Sequence, residues 1–213
     1  MHEGLTWLQQ THAEKAVAAL LKNHFRATFV PNKEEALKII LAETESNAVV
    51  GMGGSWTLSQ LNMQEILEKR GNKVLNHNLP GLSAEEASAF RHQELSCDVF
   101  LSSVNALTLD GQLVNVDGSG NRVAAMIFGP KKTILVVGTN KLCPTVEDAI
   151  LRIETCAAPV NAKRLNRKTP CTHTGICQDC ESPERICNVT TIMHKKPGPS
   201  DILVILIGES LGF

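Results

Sequence analysis

The sequence predicts an α/β protein built on a parallel, Rossmann-like sheet. Three observations carry that expectation. The runs Asn47–Met52, Val99–Leu101, Thr133–Val137 and Asp201–Glu209 are apolar without alternation, as expected of strands covered on both faces. Stretches of helical periodicity separate the strands, so the chain reads α, β, α, β, α, β, α before it reaches Asp98. Two of the apolar runs end in small polar residues, Ser102-Ser103-Val104-Asn105 and Gly138-Thr139-Asn140-Lys141. In an open α/β sheet, ligands sit at such carboxyl ends.

The elements follow in order. Gly4 to Leu21 places Leu5, Leu8, His12, Ala16, Ala19 and Leu20 near one helical face, with Thr6 able to cap its start. Phe25–Val30 reads as a strand closed by Pro31, and Asn32-Lys33-Glu34-Glu35 has the form of a capping box opening a helix. After the strand ending at Met52 comes a glycine-rich turn and a helix over Ser59–Lys69. Lys73–Asn76 is a short strand leading to His77-Asn78-Leu79-Pro80-Gly81. Ser83-Ala84-Glu85-Glu86 caps the next helix, to about Leu95. Thr145 caps a helix over Val146–Cys156, and Pro159 is expected to end the regular pattern.

From Asn161 to Pro199 the composition changes to Lys, Arg, Pro and Cys with little periodicity. A stretch of that length without regular structure needs something else to hold it. The expected organisation is therefore one α/β domain over residues 1–160 and 201–213, interrupted by a four-cysteine metal-binding insert over 161–200.

Composition bounds the function. At 43% hydrophobic the chain can fill a sizeable core, and a formal net charge of −1 argues against a general electrostatic grip on nucleic acid. The basic run Lys163–Lys168 reads as a solvated face. No apolar run reaches the roughly 20 residues that span a bilayer, and the first residues do not form a signal peptide, so a cytoplasmic protein is expected. A homodimer is the base-rate expectation for its assembly.

Two stretches carry candidate chemistry. In Gly51-Met52-Gly53-Gly54-Ser55-Trp56-Thr57-Leu58, the glycines allow a sharp turn that exposes amides, and the hydroxyls of Ser55 and Thr57 add donors. An anion cradle and a plain helix cap are both open there. The second stretch runs through Asn105, Asp110-Gly111, Asp117-Gly118-Ser119-Gly120-Asn121-Arg122 and Lys141. Gly53, Gly54, Ser55 and Thr57 are read as anion-holding. Asn105, Asp117, Gly118, Asn121 and Arg122 are read as ligand-orienting. Lys141 is the charge neutraliser and Asp110 the candidate general base, a carboxylate beside glycine being within reach of a substrate.

Cys171, Cys177, Cys180 and Cys187 give C-x5-C-x2-C-x6-C. Four thiolates suit a tetrahedral zinc or a four-iron cluster. One compact loop holding all four resembles the cluster loop of iron–sulfur DNA glycosylases in spacing. A 4Fe-4S cluster is the first expectation and zinc the second, with His173 able to replace a thiolate. Free cysteines, or a Cys177–Cys180 redox disulfide, stand as the bland alternative. Cys97, Cys143 and Cys156 read as small apolar or strand-edge residues, with a reactive thiol open at Cys143, two residues beyond Lys141.

The glycine turn Gly51–Leu58, the stretch Asn105–Gly111, the turn Asp117–Arg122 and the strand ending Val137–Lys141 together resemble the LUD (lactate-utilisation) domain family. The cysteine segment, with Cys177-Gln178-Asp179-Cys180 and Ser182–Cys187, is similar to one subgroup. The resemblance implies the sheet type shared by ribose-5-phosphate isomerase, glucosamine-6-phosphate deaminase and the CoA transferases. Ser55 and Thr57 match the phosphate-holding loop of those enzymes, and Asp110-Gly111 the Asp-Gly near the reacting carbon. Gln112 and Leu113 replace the further acidic residues of the isomerases, and the transferase glutamate has no counterpart. The implied role is organic-acid utilisation: a small anionic, phosphorylated or unphosphorylated, metabolite bound at the strand ends, beside iron–sulfur oxidase subunits. A non-catalytic sensor or assembly protein is the alternative.

Overall fold

The computed structural model describes residues 3–213. Its centre is a six-stranded sheet, all parallel. The strands are β1 (Arg26–Val30), β2 (Val49–Met52), β3 (Lys73–Leu75), β4 (Val99–Ser102), β7 (Lys132–Gly138) and β10 (Ile202–Ile207), in the order β1-β10-β7-β4-β2-β3. The predicted fold class holds. Ile134, Val136, Leu203 and Ile205 pack on one face, and Leu135, Val137, Val204 and Leu206 on the other. Neighbouring residues on a strand point to opposite faces, so apolar residues at every position mean cover on both sides.

Helices supply that cover. They are α1 (Glu3–Lys22), α2 (Lys33–Ala42), α3 (Trp56–Gln60), α4 (Met63–Arg70), α5 (Ala84–Glu94) and α6 (Asn121–Ile127). Ala13, Ala16 and Leu20 of α1 are fully buried, and Asn32 caps α2 by accepting from the Glu35 N–H. Ser83 and Glu86 close the expected capping box on α5. The helix expected over Ser59–Lys69 is broken instead. Asn62 takes a left-handed conformation, φ 51°, which asparagine tolerates better than most residues, and so separates α3 from α4.

A second, four-stranded sheet lies beyond the carboxyl edge of the first, in the order β8-β5-β6-β9. Its strands are β5 (Ala106–Thr108), β6 (Leu113–Asp117), β8 (Leu142–Cys143) and β9 (Val189–Met193). Helix α7 (Val146–Arg152) packs Ala149 under it, against Ala106, Val114 and Cys143. Strand β9 lies inside the stretch expected to be irregular and pairs antiparallel with β6. Most of β9 is exposed or half-buried, so its sequence lacks a strong apolar signal.

The helix begun at α7 does not stop at Pro159. A π-helical turn, Ile153–Ala157, widens it and α8 (Ala158–Arg164) continues with Pro159 in its first turn. Proline cannot donate to the residue four before it, and the wider turn absorbs the missing bond. Between Arg164 and β9 the only regular piece is α9 (Cys171–Thr174), a single turn. Among the described residues no helix is long and apolar enough to cross a membrane.

Candidate functional site

Strand order places the site. β3 lies on one side of β2 and β4 on the other, and such a reversal opens a crevice at the carboxyl edge. A cavity of about 210 Å³ occupies that edge. Its wall draws on the ends of β2 (Gly54, Ser55, Thr57), β3 (His77, Asn78), β4 (Ser103, Asn105) and β7 (Lys141). The turn Asp117–Arg122, Arg91 of α5, and Arg164 and Arg167 at the end of α8 complete it.

Lys141 is a deeply buried charge, 3% exposed. Its Nζ donates to Thr57 Oγ1 at 2.9 Å, Ser103 Oγ at 2.9 Å and the Val104 carbonyl at 3.2 Å. Those three bonds use the three N–H groups of an ammonium, and no carboxylate faces it. Burial first, then the nearby positive charges of Arg152 and Arg122, pulls its pKa down to about 7. Gly212 closes over this group with φ +67°. A Cβ there would lie 2.3 Å from Thr57 Oγ1 and 2.9 Å from Lys141 Nζ, so only glycine fits.

Arg122 acts as a bracket. Its Nε donates to Asp117 Oδ2 at 3.1 Å, Nη1 to the Ser103 carbonyl and Asn115 Oδ1, and Nη2 to Asn105 Oδ1 and the Val116 carbonyl. All five guanidinium donors are spent on the protein. Asp117 is spent likewise, its Oδ1 accepting from the Ser119 and Gly120 amides. Arg122 and Asp117 therefore shape the wall and hold Asn105. Desolvation pushes Arg122 below its usual pKa, and Asp117 opposes that shift.

The remaining expected residues divide. Asn121 lines the cavity, and its Nδ2 is buried without a hydrogen-bond partner. Gly118 lines it too. Ser55 borders the cavity but its hydroxyl caps α3, accepting from the Leu58 N–H at 3.3 Å. Gly53 sits behind the wall, with its N–H on the Leu101 carbonyl. Gly54 is exposed on the rim.

Asp110 is not brought to Lys141. Asp110-Gly111 forms the tight turn between β5 and β6, with Gly111 at φ +74°, which is what an Asp-Gly pair between strands favours. The exposed Asp110 borders a separate hollow with Lys15 and Lys22, and its carbonyl takes a bond from Asn23.

Two residues that the sequence did not single out complete the site. His77 Nδ1 lies 2.8 Å from Glu94 Oε1 and 3.0 Å from Oε2, and the His77 side chain borders the cavity. Glu94 is 1% exposed and also accepts from the His77 N–H. The strand-end rule that picked out Asn105 and Lys141 applies equally to His77, which follows β3. No such signal marks Glu94, because burial of an acid near a helix end is a tertiary fact.

Charge is distributed unevenly around the cavity. Arg91, Lys141, Arg164 and Arg167 have no carboxylate partner, and the one carboxylate side chain on the wall, Asp117, is already bonded to Arg122. Arg91 Nε is a second buried donor without a partner. Arg164 lies 6.0 Å over the ring of Trp56, which is half exposed at the mouth.

The four cysteines come together in the loop between α8 and β9. Cys171, Cys177, Cys180 and Cys187 are free, half-buried thiols around one small cavity of about 10 Å³. Among the described residues no group of three His, Cys, Asp or Glu side chains is tight enough to grip a single ion. The thiols nonetheless sense one another. Burial chiefly raises the Cys187 pKa, with Cys177, Cys180 and Cys171 adding to it and Arg185 opposing. Arg185 ties the loop, donating to the Cys180 carbonyl at 2.7 Å and the Cys187 carbonyl at 3.1 Å. The Cys177 N–H reaches the Glu154 carbonyl in the π-helical turn at 3.2 Å. His173 is exposed and does not line the cavity. Ile186 borders both cavities, and its backbone lies against Gly118.

Comparison with known proteins agrees with the architecture. The chain is similar to a DUF162 family protein from Deinococcus radiodurans whose crystal structure is known. The TM-score is 0.51 at 14% identity, over 93% of this chain and 98% of that one, a likeness of fold. No curated protein matches. The LUD domain family model matches residues 13–207, nearly the whole sheet and both cavities, so the chain belongs to the LUD domain family, which is associated with lactate utilisation.

Proposed function

We propose that the carboxyl-edge cavity binds a small organic anion, a 2-hydroxy or 2-oxo carboxylate with or without a phosphate, in organic-acid utilisation. One observation carries this reading: four cationic side chains without a carboxylate partner, Arg91, Lys141, Arg164 and Arg167, line a cavity whose own carboxylate is already paired. Like charges gathered around one cavity repel one another, and a bound anion offsets that cost. Thr57 and Ser103 hold the Lys141 ammonium in place, and Arg122 holds Asn105.

The reading extends to the loop, where Cys171, Cys177, Cys180 and Cys187 would hold a 4Fe-4S cluster. A single zinc about 2.3 Å from each sulfur draws the sulfurs to about 4 Å of one another. The four thiols line one cavity of a single loop, a ligand set that either group can use, and the single-loop spacing favours the cluster. Bound there, the cluster would accept or pass on single electrons, in keeping with iron–sulfur oxidase subunits as partners. The sensor or assembly alternative draws its support from Lys141, whose three protein hydrogen bonds suit a holding role.

Calorimetric titration at low salt with lactate, pyruvate and phosphoglycolate tests the anion site. At least one should bind, and Lys141→Met should weaken it. No binding by any of the three sinks the reading. Iron content and visible absorbance of oxygen-free protein test the loop: about four irons per chain are expected, and one zinc or no metal overturns the cluster.

A further inference from the structure

The cavity wall is one-sided in its chemistry. Arg91, Arg164 and Arg167 bring guanidinium groups without a carboxylate partner, and Arg122 stiffens the frame behind them. Groups able to take a proton are scarce. Asp117 has both oxygens engaged, and Lys141 has its three N–H bonds directed into the protein. Glu94 is buried behind His77. That leaves His77.

The histidine is oriented for the task. The Glu94 carboxylate at 2.8 and 3.0 Å accepts a hydrogen bond from Nδ1–H, which selects the neutral tautomer with its lone pair on Nε2. Among the described residues Nε2 has no protein partner, and the ring borders the cavity. Glu94 is 1% exposed and has this imidazole as its side-chain partner. Arg91, three residues before Glu94 on α5, shares that wall.

One acceptor facing several donors is the arrangement for moving a proton from carbon while negative charge builds on oxygen. We propose that His77, oriented by Glu94, is the catalytic proton-transfer residue of this cavity and acts on a 2-oxo acid. The C–H bond next to the ketone breaks, and Nε2 takes the proton. The electron pair becomes the C=C bond of an enolate whose oxygen is held by the donor wall. Return of a proton from the imidazolium restores the 2-oxo acid, so the step needs no oxidant, metal or second substrate. Glu94 is a positioning residue. This rests on the anion-binding reading of the cavity and adds to it the class of substrate and the direction of proton flow.

The test is deuterium exchange into the methyl group of pyruvate, the smallest 2-oxo acid with such protons, followed by proton NMR in D2O. The protein should accelerate exchange over buffer and over heat-denatured protein. His77→Gln should lower the acceleration by about 100-fold or more. Added imidazole should restore part of the rate to His77→Ala, which a merely structural histidine would not allow. Pyruvate binding by calorimetry separates the two proposals. Binding without accelerated exchange, or equal exchange in His77→Gln and the parent protein, overturns the role of His77 and leaves the anion site standing. Absence of pyruvate binding together with absence of lactate and phosphoglycolate binding removes the anion site, and His77 with it.

Discussion

The carboxyl-edge cavity and the cysteine loop lie side by side, yet they are stabilised in opposite ways. The cavity is built from strand ends whose polar groups are bonded to one another: Arg122 alone makes five such bonds across three segments. The loop has one turn of helix, half-buried thiols and an arginine tied to two of its carbonyls. A wall of that first kind is in place before any ligand arrives, so binding spends little on ordering it. A loop of the second kind has few apolar contacts to offset its chain entropy, and the metal proposed for it would supply what the sequence does not.

The difference can be broken at either end. The largest effect is expected from Arg122→Ala, which leaves Asp117 buried and unpaired. Urea unfolding should show a loss of roughly 3–5 kcal/mol, and a loss under about 1 kcal/mol would mean that the bracket does not hold the wall. Cys180→Ser comes next and should act locally. Metal content should fall and limited proteolysis should cut between residues 165 and 188, with the far-ultraviolet circular dichroism unchanged. Protection equal to that of the parent protein would show that the loop orders itself without metal.

Lys141 gives a smaller and reversible effect. Its pKa near 7 lies below the ordinary lysine value, so its charge is lost as pH rises through that range. Anion affinity should therefore be highest below pH 7 and decline through pH 8, and Lys141→Met should flatten this profile. Stability has the opposite sign. The unfolded chain binds this proton more tightly than the native one, so the lysine's contribution rises with pH between about 7 and 10.5. The smallest effect belongs to Asp110→Asn. Because Asp110 turns the β5–β6 hairpin away from the cavity, anion Kd should stay within about twofold. A larger change would mean that the two hollows are coupled.

The sheet was legible because runs such as Thr133–Val137 and Ile202–Ile207 leave no polar face, which only a strand covered on both sides tolerates. Lys141, Asn105, Thr57 and Asn121 were legible as cavity residues from their places after strands and in a glycine turn. Arg122 was visible as a candidate, but its role was not, since a bracket and a ligand clamp use the same guanidinium. Asp110 misled because a carboxylate beside glycine reads equally as a reachable base and as a hairpin turn. The second sheet escaped notice because its strands are two to five residues long and β9 is largely exposed. His77 and Glu94 meet only through folding: seventeen residues separate them.

The position of β10 bears on how the molecule is made. It comes after every other strand in the chain yet lies between β1 and β7, and β1, at the sheet edge, pairs with β10 alone. β1 thus emerges well before the strand it pairs with and waits for it unpaired. The residues that follow β10 bring Gly212 over Lys141. During synthesis the sheet can grow from β2, β3, β4 and β7, but its N-terminal edge and the roof of the cavity close together at the end. A nascent chain halted before Ile202 would hold a half-built sheet and a cavity without its roof.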